Sequence, residues 1–338
     1  MENGQNTTYQ GEGRINNNAL KLWKQLLTLD KLKLVSHIKS ILVLDESRFT
    51  CDIIGGQLTR LKYRQKKPYL LSIDVNYSDN EVVVEFTGKV LGGEYPRLIT
   101  KETIRRCFNN INSLGFCVLD IEAMMEAVVV KCDVTHDVKM ADIPSLSNYV
   151  RNHLRNYRQY VCRKLPNGNL VLEKNVTSNR TKKRLTIYDK GKEMQKAENR
   201  HFTKENRLDG TYDGVCRIEL NLNSKEQIRK ALNIEDTGLP MVLSSEANPI
   251  LDFLNETVEQ RTVDMPMKDK KTYVTFLVLK DCDFDLEKVE AKMRDFRTSH
   301  GTSIKKVMEP YRALMAKLSN PSNDDCWNHI LDQLRHLS

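Results

Sequence analysis

The sequence predicts an α+β fold: a largely antiparallel central sheet with helices on one face, plus a mostly helical C-terminal part. Three observations carry this. Several short segments alternate apolar and polar residues with a period of two, as half-buried strands do. Turn signals such as Ser78-Asp79-Asn80 and Asn167-Gly168 join neighbouring segments, which suits antiparallel hairpins. Beyond about residue 225 the apolar residues recur at helical spacing instead.

Taken in order, residues 1–18 are polar and Asn/Gly-rich and read as a disordered tail. They lack the basic start and apolar stretch of a secretory signal. Residues 20–38 place Leu20, Trp23, Leu26, Leu27, Leu32 and Val35 at helical spacing, which predicts one or two short helices. Strands are expected at 40–45, 69–77 and 81–90, and a helix at 104–114. A strand at 127–138 follows, then a basic amphipathic helix over 145–162 and a hairpin about Asn167-Gly168. Strands at 184–188 and 215–222 flank a helix at 190–200. After 225, helices are expected at 225–232, 248–259, 286–297, 304–318 and 326–337, with one strand at 272–279. No internal repeat shows in the residues. The expected domains are therefore 19–225 and a helical accessory region, 226–338.

Composition narrows the function. No run of about 18 apolar residues occurs, so no transmembrane helix is expected and the protein is placed in the cytoplasm. The eight cysteines form no CxxC pair and no Cys/His zinc spacing, which suits reduced, buried thiols. The net charge is +8 and is unevenly spread. From Lys139 to Arg200 there are 15 Lys/Arg against 5 Asp/Glu, an excess larger than that of the whole chain. A local cationic face suits contacts to phosphates, and a solvated basic surface is the plainer alternative.

Four strands carry the candidate chemistry. In Val82–Thr87, Val83, Glu85 and Thr87 oppose the apolar set. In Val130–Thr135 the polar set is Lys131, Asp133 and Thr135, and in Leu185–Asp189 it is Thr186 and Tyr188. In Cys216–Leu222 it is Arg217, Glu219 and Asn221. On one sheet, these strands gather Glu85, Asp133, Tyr188, Arg217 and Glu219 on a single face. Carboxylates so placed bind a hard divalent cation, Mg²⁺ or Mn²⁺. A neighbouring tyrosine hydroxyl can attack phosphorus and form a phosphotyrosine, with Lys190 and Lys192 holding phosphates or offsetting charge. An ordinary half-exposed sheet face carries the same residue types in cross-strand pairs, and alternation alone does not separate the two.

The order and text of these segments resemble the replication initiators of rolling-circle plasmids and filamentous phages, above all the phage gene II/X replication protein family. The matching stretches are VVVEFTGKVLGGEYPRLIT (82–100), VVVKCDVTHDV (128–138), KKRLTIYDKGKEM (182–194) and VCRIELNLN (215–223). They span roughly residues 40–225. In that family a Tyr-x-Lys-x-x-Glu strand end supplies the nicking tyrosine, matched here by Tyr188, Lys190 and Glu193. The family's Arg-x-Asp strand appears as Lys131-Cys132-Asp133, with Lys in place of Arg, and its Arg-x-Glu strand as Arg217-Ile218-Glu219.

The resemblance implies a metal-dependent DNA nickase and strand transferase, with 19–225 as its catalytic domain. Tyr188, Lys190 and Arg217 would be catalytic; Asp133, Glu219, Glu85 and Asp189 would be metal ligands. Candidate DNA contacts are Arg151, Arg155, Arg158, Arg180, Lys182, Lys183, Arg184 and Lys192. The implied partners are single-stranded and origin DNA with a host helicase and polymerase, a homodimer being left open. Many rolling-circle nickases hold their metal with a His-hydrophobe-His pair, which this sequence lacks. The metal then rests on carboxylates, with His136 a weaker candidate because it alternates to the other face from Asp133. Tyr157 and Tyr160 sit three apart on the expected basic helix and read first as a packing face. A relaxase of a mobile element and a non-catalytic DNA-binding protein of the same fold remain the alternatives.

Overall fold

The computed structural model describes residues 27–139, 146, 149–151, 153–154, 159–178, 182–258, 269–295, 303–316, 318 and 321–336. The strands are β1 (Leu29–His37), β2 (Ile41–Leu44), β3 (Thr50–Ile54), β4 (Gln57–Gln65), β5 (Leu71–Asn76) and β6 (Glu81–Thr87). They continue with β7 (Cys117–Leu119), β8 (Val128–Lys139), β9 (Tyr160–Lys164), β10 (Leu170–Lys174), β11 (Arg184–Asp189) and β12 (Val215–Leu222). The described residues form a ten-stranded sheet in the order β3-β4-β5-β6-β1-β8-β12-β11-β10-β9, each pairing antiparallel. β2 and β7 make a separate two-stranded ribbon. The α+β architecture with a helical C-terminal part is thus the observed one.

The sheet repeats itself. Outward from its centre one half runs β1, β6, β5, β4, β3, and the other runs β8, β12, β11, β10, β9. A pseudo-two-fold axis passes by Leu32 and Cys132, which face each other, with Lys31 opposite Asp133 and Lys33 opposite Lys131. The register shifts obey the same axis: β1 carries an extra residue at Asp30 and β8 one at Val130. The sequence hides this repeat because sheet pairing constrains side-chain direction and register, not residue identity.

Alternation divides the sheet into two faces. On the apolar face Leu32, Leu34, Cys132, Val134, Leu220 and Leu222 are fully buried. They join one core with Phe108 of α1 (Ile104–Asn112), Met124 of α2 (Ile121–Met125) and Ile228 of α5 (Lys225–Leu232). Val242 of α6 (Leu239–Leu243), Phe253 of α7 (Pro249–Thr257) and Trp327 of α11 (Pro321–His336) complete it. The helices α8 (Lys270–Asp281), α9 (Leu286–Asp295) and α10 (Ile304–Met315) enclose their own core of Leu279, Val289 and Met308. The region after 226 is therefore of two kinds, and α5–α7 and α11 belong to the packing of the sheet.

Among the described residues, the polar face is covered at one end. The 3-10 segment Gly88–Arg97 and the helices α3 (Lys190–Met194) and α4 (Ala197–Glu205) close over it with a small core of Tyr95, Met194, Phe202, Leu208 and Tyr212. Both helices lie in the β11–β12 connection. The equivalent β5–β6 connection is a short turn, so the first half has no such cover.

Three expectations are corrected. The 20–38 helix is, over its described part, the central strand β1. Leu32 and Val35, read as neighbours on one helix face, lie on opposite faces of β1, Leu32 in the core and Val35 opposite Val83, and the bulge at Asp30 breaks the period of two that would have marked the strand. The 272–279 strand is helix α8, capped by Asp269, whose side chain accepts from the Thr272 amide. Thr275 and Leu279 are its buried pair, so packing at i and i+4 overrode the local preference of a β-branched and aromatic run. Of the 145–162 helix, residues 160–162 are strand β9, while Arg155, Tyr157 and Arg158 lie outside the described residues. Among the described residues, no helix is long and apolar enough to cross a membrane.

Candidate active site

Tyr188 sits opposite Arg217 on the polar face of β11, one residue before Asp189 caps α3. Its hydroxyl donates to Glu219 Oε1 across the neighbouring strand at 2.6 Å. The two residues are diagonal neighbours, since Glu219 pairs with Thr186, and long side chains reach across that offset. The cover leaves Tyr188 only 8% exposed. Burial, and then the Glu219 charge, hold its phenol well above the ordinary range, so the hydroxyl is protonated at neutral pH. Glu219 is pushed up to about 7 by burial and by the Asp30 carboxylate. A proton acceptor poised near neutrality thus touches the hydroxyl.

Arg217 is wholly buried and most of its donors are engaged. Nε and Nη2 grip Asp137 through both carboxylate oxygens at 2.6 and 2.7 Å. Nη1 reaches Asp30 at 3.0 Å and the Tyr95 hydroxyl at 2.7 Å. Burial alone would raise the Asp30 carboxyl, but Arg217, Lys190, Tyr95 and Lys89 together bring it below the carboxylate range. Arg217 is therefore the strut that ties β12 to β8, β1 and the 3-10 segment, rather than an open phosphate ligand.

Lys190 is the second buried cation, 2% exposed, with Nζ donating to Glu193 Oε2 at 2.7 Å. Its ammonium lies 5.1 to 5.8 Å from the ring centres of Tyr95, Tyr188 and Tyr212. Burial and then the Arg217 charge lower its pKa. Glu193 is fixed in turn by Asn199, whose amide donates to Oε1 at 2.6 Å and accepts from Lys89 Nζ at 2.8 Å. Gly191 allows this packing: a Cβ there would stand 2.8 Å from the Tyr212 carbonyl oxygen.

The sheet thus unites Tyr188, Lys190, Arg217 and Glu219. Asp133 is one row away, opposite Asn221 and diagonal to Glu219. Its Oδ1 is buried without a hydrogen-bond partner, and burial raises its pKa. Glu85 lies elsewhere. Its strand is four pairings from β11, roughly 19 Å away at sheet spacing. It is also held by Lys31 at 2.5 Å and Lys33 at 3.3 Å. Asp189 points to the other face, opposite Cys216, and accepts from the Lys192 amide as the cap of α3. His136 is on the apolar face opposite Ile218, with burial lowering its pKa to about 4.

Of the expected DNA contacts, Arg151 is turned to Asp285 and Glu287 at the junction with α9. Lys182 and Arg184 approach Glu173, while Lys183 lies over Phe253. Lys192 is largely exposed and, with Lys164 and Lys196, lines a cleft of about 160 Å³ beside the Asn167-Gly168 turn. Arg180 lies outside the described residues.

Asp30, Asp137, Tyr95 and Tyr212 were not foreseen. Asp137 extends the Asp133–Thr135 alternation by one step and was legible there. Asp30 was hidden by its bulge, and the two tyrosines arrive from irregular segments that carry no periodic signal.

For a metal, the Asp133 oxygen without a hydrogen-bond partner is the atom a cation would satisfy, with Glu219 diagonal to it across β8 and β12. Among the described residues no group of three or more His, Cys, Asp or Glu is arranged around a metal. Asp133 suits Mg²⁺, which commonly takes one or two carboxylates and completes its shell with water and phosphate oxygens. Glu85 and Asp189 do not fit it. No family model matches the sequence, and no curated protein matches it.

Proposed function

We propose that the chain nicks one strand of origin DNA through Tyr188 and later rejoins it, to drive rolling-circle replication. The observation that carries this is the 2.6 Å contact from the Tyr188 hydroxyl to Glu219, a carboxyl whose pKa of about 7 suits a general base. The Tyr188 oxygen attacks the scissile phosphorus as Glu219 takes its proton. The bond from phosphorus to the 3′-oxygen breaks, and Lys190 supplies the proton that makes the leaving group a 3′-hydroxyl. The product is a 5′-phosphotyrosine ester, and attack by a 3′-hydroxyl reverses each step. Asp133 would hold a divalent cation, which when bound would polarise a phosphate oxygen, while the Glu219 carboxylate stays free of that shell to take the Tyr188 proton. Arg217 keeps Asp30 and Asp137 in place, and burial together with the Asp30 charge raises the pKa of Glu219.

One observation favours a second reading, a DNA-binding protein of this fold without cleavage: Tyr188 is 8% exposed and strongly desolvated. Incubation with single-stranded origin DNA and Mg²⁺ or Mn²⁺, followed by a denaturing gel, separates the two. A covalent adduct supports the nickase, and binding without an adduct supports the second reading.

A further inference from the structure

The pseudo-two-fold axis gives the sheet two equivalent positions for the same chemistry. Carried through the register, it matches Tyr188 with Asn76, Arg217 with Glu81, Glu219 with Val83 and Asp137 with His37. The bulges cross over: Asp30 of the first half serves the site in the second, and Val130 is its counterpart. At its own position the first half has Asn76 in place of the tyrosine and Val83 in place of the carboxylate beside it, and among the described residues no helix of the β5–β6 connection covers it. Its polar face is nonetheless continuous with that of the second half.

Two rows of side chains cross the middle of that face. One row runs Glu173, Arg184, Asn221, Asp133, Lys31 and Thr87 over β10, β11, β12, β8, β1 and β6. The next contains Lys131, Lys33, Glu85 and Ser72. The axis makes Lys31 and Lys131 equivalents. With Arg163 and Lys182, which reach in to Glu173, the belt gathers six cations, Arg163, Lys182, Arg184, Lys31, Lys33 and Lys131, against three carboxylates, Glu173, Asp133 and Glu85. Glu173, buried, is shared by Arg163, Lys182 and Arg184. Glu85 is shared by Lys31 and Lys33. Lys131 makes no ion pair among the described residues. Lys31, Lys33, Lys131 and Asn221 keep partial exposure and Arg184 is exposed, while Glu173 and Thr87 are buried. The belt starts one diagonal step from Glu219, on the side of Tyr188 away from the cover.

We infer that this belt is the platform for single-stranded DNA. The strand leaves the Tyr188 site past Arg184, and its phosphates are held by Lys131 of β8 and then by Lys31 and Lys33 of β1, on the half that lacks the chemistry. The inference rests on the proposed function for its choice of DNA. Charge complementarity favours a polyphosphate backbone, and the cover beside Tyr188 favours a single strand over the bulk of a duplex.

The test uses full-length Tyr188→Phe protein, so that binding is read without cleavage. Fluorescence anisotropy measures affinity for a labelled single-stranded oligonucleotide and its duplex across a salt series. Adding Lys31→Gln, Lys33→Gln and Lys131→Gln is expected to weaken single-strand binding at least tenfold. The log–log salt slope should flatten by about 2, at roughly 0.7 per lost contact. Lys131→Gln alone breaks no ion pair among the described residues, although its charge offsets Asp133 and Glu85, so its expected few-fold loss counts only with unchanged thermal unfolding. Arg105→Gln, on α1, should change neither quantity. Unchanged affinity and slope in the triple variant, or tighter binding of duplex than of single strand, overturns the platform. The wild-type adduct assay reports on cleavage separately: no adduct with an intact belt removes the nickase reading and leaves the platform standing.

Discussion

Asp30 and Val130 are the extra residues of two β-bulges related by the pseudo-two-fold axis, and the two positions differ in chemistry. Asp30 places a carboxylate against Arg217 in the Tyr188 site. Val130, its equivalent, brings no charge to the first half. A difference of one residue type at the two bulges therefore contributes to making a pseudo-symmetric sheet chemically one-sided.

Asp30→Asn should move the pH dependence of adduct formation. The Asp30 charge is one cause of the high Glu219 pKa, and Glu219 must be ionised to accept the Tyr188 proton. Wild-type activity should fall as pH drops through about 7, and the Asn variant should carry that limb to lower pH. An acid limb that stays put contradicts the role of Glu219 as base.

Glu219→Gln should separate stability from function. Glu219 titrates near 7 when folded against an ordinary 4.5, so folding favours its protonated form. That contribution is fully present below pH 4.5 and is lost as pH rises through about 7. At pH 8 the neutral amide should raise unfolding stability by up to about 3 kcal/mol while adduct formation disappears. Thermal unfolding at pH 5 and pH 8 is the check; the gain should shrink at pH 5.

Arg217→Met should unfold the protein rather than merely slow it. The change leaves Asp30 and Asp137 buried without their cation, a loss on the order of 3–5 kcal/mol. Chemical denaturation measures it. A variant of wild-type stability would show that Arg217 is not the strut.

Asp133→Asn should stabilise the protein and disable it. Its carboxyl is raised by burial and has one orphaned oxygen, so a neutral amide removes a desolvated charge. Cation-dependent cleavage should be lost with it, as EDTA should stop the wild type. Glu85→Gln, in contrast, should retain cleavage, because Glu85 is engaged by two lysines four strands from Tyr188. Full cleavage by the Asp133 variant contradicts its place as a ligand.

Where strands alternate regularly, the sequence was legible. Asp133, Tyr188, Arg217 and Glu219 share one face because β8, β11 and β12 keep a period of two throughout the site. Legibility failed where one residue breaks that period. The Asp30 bulge broke the alternation of β1 and concealed both the central strand and a charged member of the site. It failed again at Glu85, because alternation gives the face of a residue and says nothing of how many strands separate it from another. Tyr95 and Tyr212 come from a 3-10 segment and a loop, whose positions depend on packing alone.

The central claim is that the Tyr188 hydroxyl is the nucleophile. Wild-type and Tyr188→Phe proteins should be incubated with single-stranded origin DNA and Mg²⁺ or Mn²⁺, and any covalent adduct mapped by peptide mass. The account predicts an adduct on Tyr188 in the wild type and none in the Phe variant, whose DNA affinity stays within a few-fold. An adduct that persists in Tyr188→Phe, or that maps to another tyrosine, contradicts it.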